Sequence, residues 1–412
     1  MDRKTISQHL ASSGAHESAR HFIDLLLSVP HDEGSSSQLV ISRAKNRTTV
    51  DFRVLCTLPD TQNAPGLTHP AAVEVLGVAL ERAPDGSAYR VHRIDANGYP
   101  VERPMDRRYF DSHPVFGNIT PETLDGQHMV RVPRFWVRGE ILDRGPFAGS
   151  PAWFISDRHR PGFRVHGGFI SQKFPDGAPY FFIGAYQASM DGDTLASVPG
   201  VLPATRMTLD QFFDAAARRN SEGKTGWGIW TAQQAAAIDW LYLIEHASFD
   251  CQTAIGQGRV NAADVADVDA PDVAQATYRG IAGLWGNVWQ WVDGLKIVDG
   301  SIHLADPTDP GEWIDTGVRP PRGGWHPTSF VDPDRVGDLF IANTLAADES
   351  EAITTNAHYY GTDKGEYLPY RGGNWARRWR CRRVHAPPGQ PALGRQHAPR
   401  VSPRFCNLIF GA

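Results

Sequence analysis

The sequence predicts an α+β protein in which short strands and long ordered loops surround a small number of helices. Two segments that begin with capping boxes and continue with apolar faces predict helices. Alternating apolar and polar residues predict strands, and glycine, proline, aspartate and tryptophan are frequent after residue 256. At 412 residues the chain exceeds one typical domain, so we expect two domains.

The overall composition is that of a globular protein. Hydrophobic residues make up 41% and charged residues 21% of the chain, which argues against disorder. The formal net charge is −5, which provides no whole-chain attraction for nucleic acid or a membrane. Any electrostatic partner must therefore be recognised by a local patch.

The N-terminus does not resemble a secretory signal, because Ser7, Gln8 and His9 follow the first basic residues and no long apolar stretch comes after them. The longest apolar runs, such as residues 25–27, are too short to span a bilayer. We therefore expect a soluble protein made in the cytosol, which would need another route to a virion or a cell surface. No disulfide scaffold or zinc spacing is predicted from the four cysteines, Cys56, Cys251, Cys381 and Cys406.

The first domain is predicted over residues 1–120, as a small module of mixed or mainly β structure. Helix formers over 15–28 predict a helix that Pro30 ends. Alternation predicts strands over 50–55 and 73–75, and a proline- and glycine-containing turn precedes a predicted hairpin strand over 89–94. No chemical motif occurs here, so the role of this module is left open. The loop over 118–126 is the predicted boundary.

The second domain is predicted over residues 127–412. Residues 129–137 and 180–184 are typical of strands. Thr208 with Gln211, and Thr231 with Gln234, are capping boxes that begin two helices with apolar faces.

Two aromatic and glycine-rich segments, 278–294 and 370–375, are the most distinctive part of the sequence. The first carries three tryptophans within seven positions, whose rings we expect to pack in the core with their N–H groups bonded. The second is a strand that enters a glycine turn, where glycine permits positive φ or close backbone approach. The signature residues are Trp285, Asn287, Trp289, Trp291, Arg371, Gly372, Gly373 and Trp375.

Together these segments resemble the formylglycine-generating-enzyme branch of the C-type lectin fold. Within that branch the chain resembles the variable proteins of diversity-generating retroelements, several of which are phage or prophage products. Residues 132–136, 227–231 and 252–258 are also similar to segments of that family. The resemblance covers about residues 127–375, and it implies a C-type-lectin-type ligand-binding domain without catalytic activity.

The resemblance also implies that residues 376–404 form a diversified ligand-contacting surface. This variable segment contains eight arginines and no lysine, aspartate or glutamate, and its five prolines exclude long helices and central strands. An exposed, irregular surface on a rigid scaffold is a usual place for binding. The candidate ligand-binding residues are Ala376, Arg377, Arg378, Arg380, Arg382, Arg383, His385, Gln390, Arg395, Gln396, His397 and Arg400.

Two interpretations of this composition stay open. Adenine-directed mutation of asparagine-type codons produces arginine, proline, alanine and glycine, but a GC-rich genome favours the same residues. The arginines can attract an unknown, possibly acidic, protein or cell-surface ligand, or can be an incidental product of variation. Nucleic acid is disfavoured, because Trp379 is the one aromatic residue among the arginines.

The C-terminus departs from the family pattern, because members commonly end with an Asn-x-Gly-Phe-Arg-like strand. Here the chain ends with residues 404–412, in which Phe405, Leu408, Ile409 and Phe410 could fill a closing strand. The departure leaves open which variable residues face outward.

The alternative function is a metal-dependent enzyme of the same branch. A copper oxidase of the formylglycine-generating type needs two nearby thiolates, but Cys381 and Cys406 are 25 positions apart. The related iron-dependent sulfoxide synthases need an N-terminal histidine set, for which His9, His16, His21 and His31 are the available residues. We therefore expect no enzyme activity.

Other sites find little support in the sequence. No phosphate-binding loop, nucleophile elbow or zinc-protease motif occurs. Carbohydrate-binding relatives of the fold use calcium, and four acidic residues in a loop-rich region are possible calcium ligands, although scattered loop acids are usually solvated. These residues are Asp250, Asp264, Asp267 and Asp269.

Overall fold

The computed structural model divides the chain into two compact units, residues 1–71 and 72–412. In the first unit, β1 (Ser42–Ala44) pairs with β2 (Arg47–Thr49) as an antiparallel hairpin. The helix predicted over 15–28 and the strand predicted over 50–55 lie outside the described residues. The structure describes residues 42–44, 47–49, 75–83, 89–102, 104–221, 225–309, 311–321, 326–353, 365–373 and 375, and the backbone strands at 404–405 and 408–411.

The second unit is mixed α+β, with mostly β-sheets and few helices. Its helices within the described residues are α1 (Arg107–Ser112), α2 (Leu209–Ala217), α3 (Ala232–His246), α4 (Cys251–Ala254) and α5 (Pro271–Ala274). Its strands are β3 (Val75–Arg82), β4 (Tyr89–Ile94), β5 (Thr120–Leu124), β6 (Gln127–Pro133), β7 (Trp136–Ile141), β8 (Pro151–Ser156), β9 (Arg164–Val165), β10 (Tyr180–Gly184), β11 (Ser189–Asp191), β12 (Thr194–Ala196), β13 (Trp227–Ile229), β14 (Trp289–Trp291), β15 (Leu295–Val298), β16 (Ser301–Ala305), β17 (Trp313–Asp315), β18 (His326–Phe330), β19 (Ala342–Ala346), β20 (Glu366–Tyr367), β21 (Tyr370–Arg371), β22 (Arg404–Phe405) and β23 (Leu408–Gly411).

One five-stranded antiparallel sheet has the order β4-β3-β8-β7-β9. The predicted hairpin strand over 89–94 is confirmed as β4, which pairs with β3. Because β3 also pairs with β8, residues 75–94 share a sheet with residues 136–165. We therefore place the division of the chain at residues 71 and 72, rather than at the predicted loop over 118–126.

A second five-stranded sheet has the order β13-β23-β10-β6-β5. The predicted strand over 180–184 is confirmed as β10. The single strand predicted over 129–137 is instead two strands, β6 and β7, in different sheets. The chain leaves the first of them after Pro133, which has no N–H to donate, and then buries the Phe135 side chain completely.

The predicted capping boxes are both confirmed. The Thr208 hydroxyl accepts from the Gln211 N–H at 3.2 Å, and Thr231 repeats this bond with Gln234 at 3.1 Å. Almost every residue of α3 from 232 to 244 is buried, and the helix contacts β3, β8 and the turn over residues 167–169. No helix in the described part of the chain is long and apolar enough to cross a membrane.

Candidate functional site

The two signature segments pair with each other in a three-stranded sheet of order β21-β14-β22. Gln290 lies opposite Arg371, and Trp291 lies opposite Tyr370, in the antiparallel pair of β14 and β21. On the other side, β22 runs parallel to β14 and begins with Arg404. The variable segment therefore begins shortly after one neighbour of β14 and ends in the other.

The three tryptophan rings are buried, as the sequence predicts. The exposed fractions of Trp285, Trp289 and Trp291 are 4%, 7% and 6%. The Trp285 Nε1–H donates to the Gly256 carbonyl at 3.0 Å, and the Trp289 ring lies edge-on to Tyr370 with centroids 4.9 Å apart. These rings form a buried base for the two signature segments.

Asn287 connects three parts of the site through its amide and its backbone. Its Nδ2 donates to Gln187 Oε1 at 2.9 Å and to the Ala266 carbonyl at 3.0 Å, and its Oδ1 accepts from the Ala266 N–H at 2.9 Å. Its carbonyl accepts from the Trp375 N–H at 3.2 Å. Its φ of 60° is in the left-handed region, which asparagine tolerates better than most residues.

Glycines allow the two signature segments to approach closely. The Gly286 N–H donates to the Gly372 carbonyl at 2.7 Å. Gly286 has a φ of 77°, and a Cβ there would lie 2.8 Å from the backbone N and O of Arg259. A side chain at this position would therefore displace backbone rather than a movable side chain.

A buried ion pair anchors β21 to α3. The Arg371 Nη2 donates to Asp239 Oδ1 at 2.9 Å, and each side chain is 5% exposed. The Arg371 guanidinium also lies over the Trp230 ring, 5.2 Å from its centroid. The Trp230 Nε1–H donates to the Trp291 carbonyl at 2.7 Å. The last strand before the variable segment is thus held to the helix, and Trp230, which precedes the helix, is bonded to β14.

The loop over residues 259–272 holds the point at which the variable segment begins. The Ala262 N–H donates to the Trp375 carbonyl at 2.8 Å. Arg259 stabilises the loop by bonding Asp272 Oδ2 at 2.5 Å and the Asp264 carbonyl at 2.9 Å. The N–H and the carbonyl of Trp375 are therefore both hydrogen-bonded. Its half-buried ring packs against the hydrophobic cluster that contains Val288 and Trp291.

The structure thus brings together seven signature residues around β14, with Trp375 beside them. The remaining predicted site residues are outside the described residues, and these are Ala376, Arg377, Arg378, Arg380, Arg382, Arg383, His385, Gln390, Arg395, Gln396, His397 and Arg400.

Three of the four acidic residues considered as calcium ligands accept hydrogen bonds from backbone N–H groups. Asp250 caps α4 by accepting from the Thr253 N–H, Asp264 accepts from the next N–H, and Asp269 accepts from the Gly200 N–H, while Asp267 is exposed. Within the described ranges, no group of three or more histidine, cysteine, aspartate or glutamate residues could hold a metal ion.

Both cysteines considered for copper, Cys381 and Cys406, lie outside the described side chains. Cys251 is a buried residue of α4, with 4% exposure.

Sequence reasoning missed Asp239 and Gln187, the two buried polar partners of the signature. The local sequence could have indicated Asp239, because it is a single carboxylate in the apolar run of residues 235–244. It could not have indicated Gln187, since that residue lies 100 positions from its partner Asn287 in a stretch without a motif.

No protein-family model matches the sequence, and no curated protein matches it. The function is therefore inferred from the residues and the geometry.

Proposed function

We propose that this protein is a non-catalytic ligand-binding protein, of the receptor type, whose ligand surface is the variable segment 376–404. We further propose that the scaffold has the C-type lectin fold of the formylglycine-generating-enzyme branch, and that a diversity-generating retroelement of phage or prophage origin diversifies the segment. The observation that carries the proposal is the attachment of both ends of the segment to opposite sides of β14.

Fixed ends suit a segment whose sequence varies. The ion pair of Arg371 with Asp239 and the backbone bonds of Trp375 hold the start of the segment independently of the residues that follow. Substitutions between the two ends would then leave the described contacts of the tryptophan base in place. Binding residues are commonly placed on loops that a rigid scaffold positions.

The charge of the segment suggests the chemistry of the ligand. Eight arginines without an acidic residue create a strongly positive surface on a chain whose net charge is −5. Such a surface attracts an acidic protein or an anionic cell-surface glycan, and salt weakens the attraction. We therefore propose an acidic ligand on a protein or cell surface.

The proposal is tested by exchanging the whole segment in the full-length protein. One variant carries residues 376–404 in scrambled order, which retains the charge, and a second replaces the eight arginines with glutamine. Binding is measured against acidic proteins, anionic glycans and bacterial cell-surface fractions at two salt concentrations. We expect the scrambled variant to change its ligand preference and the glutamine variant to lose the salt-sensitive part of binding.

The matched control is Ile314→Ala, which alters a side chain that is 52% exposed on β17. We expect this variant to bind as the parent does. If both segment variants retain the parent preference, residues 376–404 are not the ligand surface.

Diversification is tested separately by sequencing the 3′ end of the gene and its flanking DNA across one lineage. We expect substitutions confined to codons 376–404 that match adenines in a nearby template repeat beside a reverse transcriptase gene. An invariant segment without a template would contradict diversification. One equivalent of copper or iron retained after purification would instead favour the enzyme alternative.

A further inference from the structure

The last strand of the chain occupies an interior position in the second sheet. β23 lies between β10 and β13 and is antiparallel to both. Ile409 is the residue opposite Ile183 on one side and Gly228 on the other. Residues 408–411 therefore complete a sheet whose other strands all come from residues 120–229.

β10 and β13, the two strands that flank β23, depend on β23 to different degrees. β10 has a second partner, β6, whereas β13 pairs with no other strand within the described residues. The flanking strands contribute side chains to the core, and Phe182, Ile183, Trp227 and Ile229 are each no more than 6% exposed. Without β23, the facing edges of β10 and β13 would present backbone groups that lack partners.

The positions of β22 and β23 in the sequence determine which strands a truncated chain lacks. β22 contains the last residue of the variable segment and β23 follows it, so a chain that ends before residue 404 lacks both strands. Such a chain would retain every residue of α3 and of the signature segments. It would nevertheless lack the strand that joins β13 to the rest of its sheet.

We infer that the gap between β10 and β13 is a strand-capture site whose occupant is residues 408–411 of the same chain, so that only copies translated through the whole variable segment complete the scaffold. The diversifying role of the segment rests on the proposed function, but strand capture does not. The site accepts an extended strand of four residues, with its backbone groups bonded on both sides. A diversified protein gains from this arrangement, because copies truncated within the segment lack a complete scaffold.

The first experiment is hydrogen exchange, measured by mass spectrometry on full-length variants without ligand. Ile409→Pro removes an N–H from an interior strand, where proline is not tolerated. Its matched control is Ala412→Pro, which lies one residue beyond β23. We expect amides of β10 and β13 to exchange at least about tenfold faster in Ile409→Pro than in the control, because exchange follows the population of the open form. Equal exchange in the two variants would overturn the inference.

The second experiment uses full-length Ile409→Pro. We expect a synthetic peptide of residues 404–412 to slow the exchange of the β10 and β13 amides when it is added in excess. A peptide carrying the Ile409→Pro change should have no effect. Failure of the unmodified peptide to slow exchange would contradict a separable capture site. Because no ligand is present, either outcome leaves the test of the proposed binding function untouched.

Discussion

Arg371 and Asp239 form a buried ion pair across 2.9 Å, and each side chain is 5% exposed. The pair joins the strand that precedes the variable segment to α3, whose residues are almost all buried. It is the contact that ties the beginning of the variable segment to the core.

Removal of one member of this pair should be strongly destabilising. Arg371→Met removes the ion-pair partner of a buried carboxylate, and we expect a loss of about 3–5 kcal/mol in the free energy of unfolding. The double variant Arg371→Met with Asp239→Leu should recover a large part of this loss, since both charges of the pair are removed. Denaturant unfolding measures the free energy of unfolding of the single and the double variant. As a control, Arg144→Met breaks a pair that is 74% and 89% exposed and should cost less than about 1 kcal/mol. Equal costs for the single and double variants would contradict the pairing.

The Asn287 amide should stabilise the site through its hydrogen bonds rather than through its backbone conformation. Asn287→Gly accepts a φ of 60° but leaves Gln187 and Ala266 without their partner. We expect a loss of about 2–4 kcal/mol in the free energy of unfolding. Asn261→Gly, an exposed asparagine in the neighbouring loop, should cost below about 1 kcal/mol. Similar values for the two variants would show that the amide bonds contribute little.

Close approach of two backbones should make Gly286 intolerant of any side chain. Gly286→Ala places a Cβ 2.8 Å from the Arg259 backbone, in addition to the strain of a φ of 77°. Gly192 has a comparable φ of 61°, but no atom lies within 4 Å of a Cβ added there. Gly192→Ala therefore measures the cost of the backbone strain without a steric clash. We expect about 1–2 kcal/mol for Gly192→Ala and at least about 2 kcal/mol more for Gly286→Ala, measured by denaturant unfolding. A difference near zero would mean that the backbones at Gly286 and Arg259 can move apart without cost.

Two buried histidines should make the protein less stable in mild acid. Burial lowers the pKa values of His166 and His113 to about 4 from the usual 6.5. The unfolded chain therefore takes up protons first as the pH falls below 6.5, and stability is lost progressively between 6.5 and 4. Each histidine should lower the free energy of unfolding by about 2 kcal/mol between pH 7 and pH 5.

His166→Asn tests this pH dependence directly. The His166 Nδ1 accepts from the Gly168 N–H at 3.0 Å, and asparagine can also supply an acceptor without titrating. We expect a smaller loss of stability between pH 7 and pH 5 in this variant, whatever its stability at pH 7. An unchanged slope in His166→Asn would exclude its titration as a cause.

Local signals were sufficient to predict several elements. The helices that begin after Thr208 and Thr231, the strand over 180–184 and the burial of the three signature tryptophans are all present in the structure. Each depends on residues within a few positions of one another, where capping bonds and apolar periodicity act directly.

The sequence by itself therefore determined where helices begin, which rings are buried and which two segments form a signature. Tertiary structure decided that Arg371 pairs with Asp239, 132 positions away, and that residues 408–411 enter the sheet between β10 and β13. It also decided that residues 75–94 join a sheet with residues 136–165. The reason is physical: a strand or a buried charge needs a bonding partner, but its local sequence does not identify that partner. The partner is determined by how the whole chain folds.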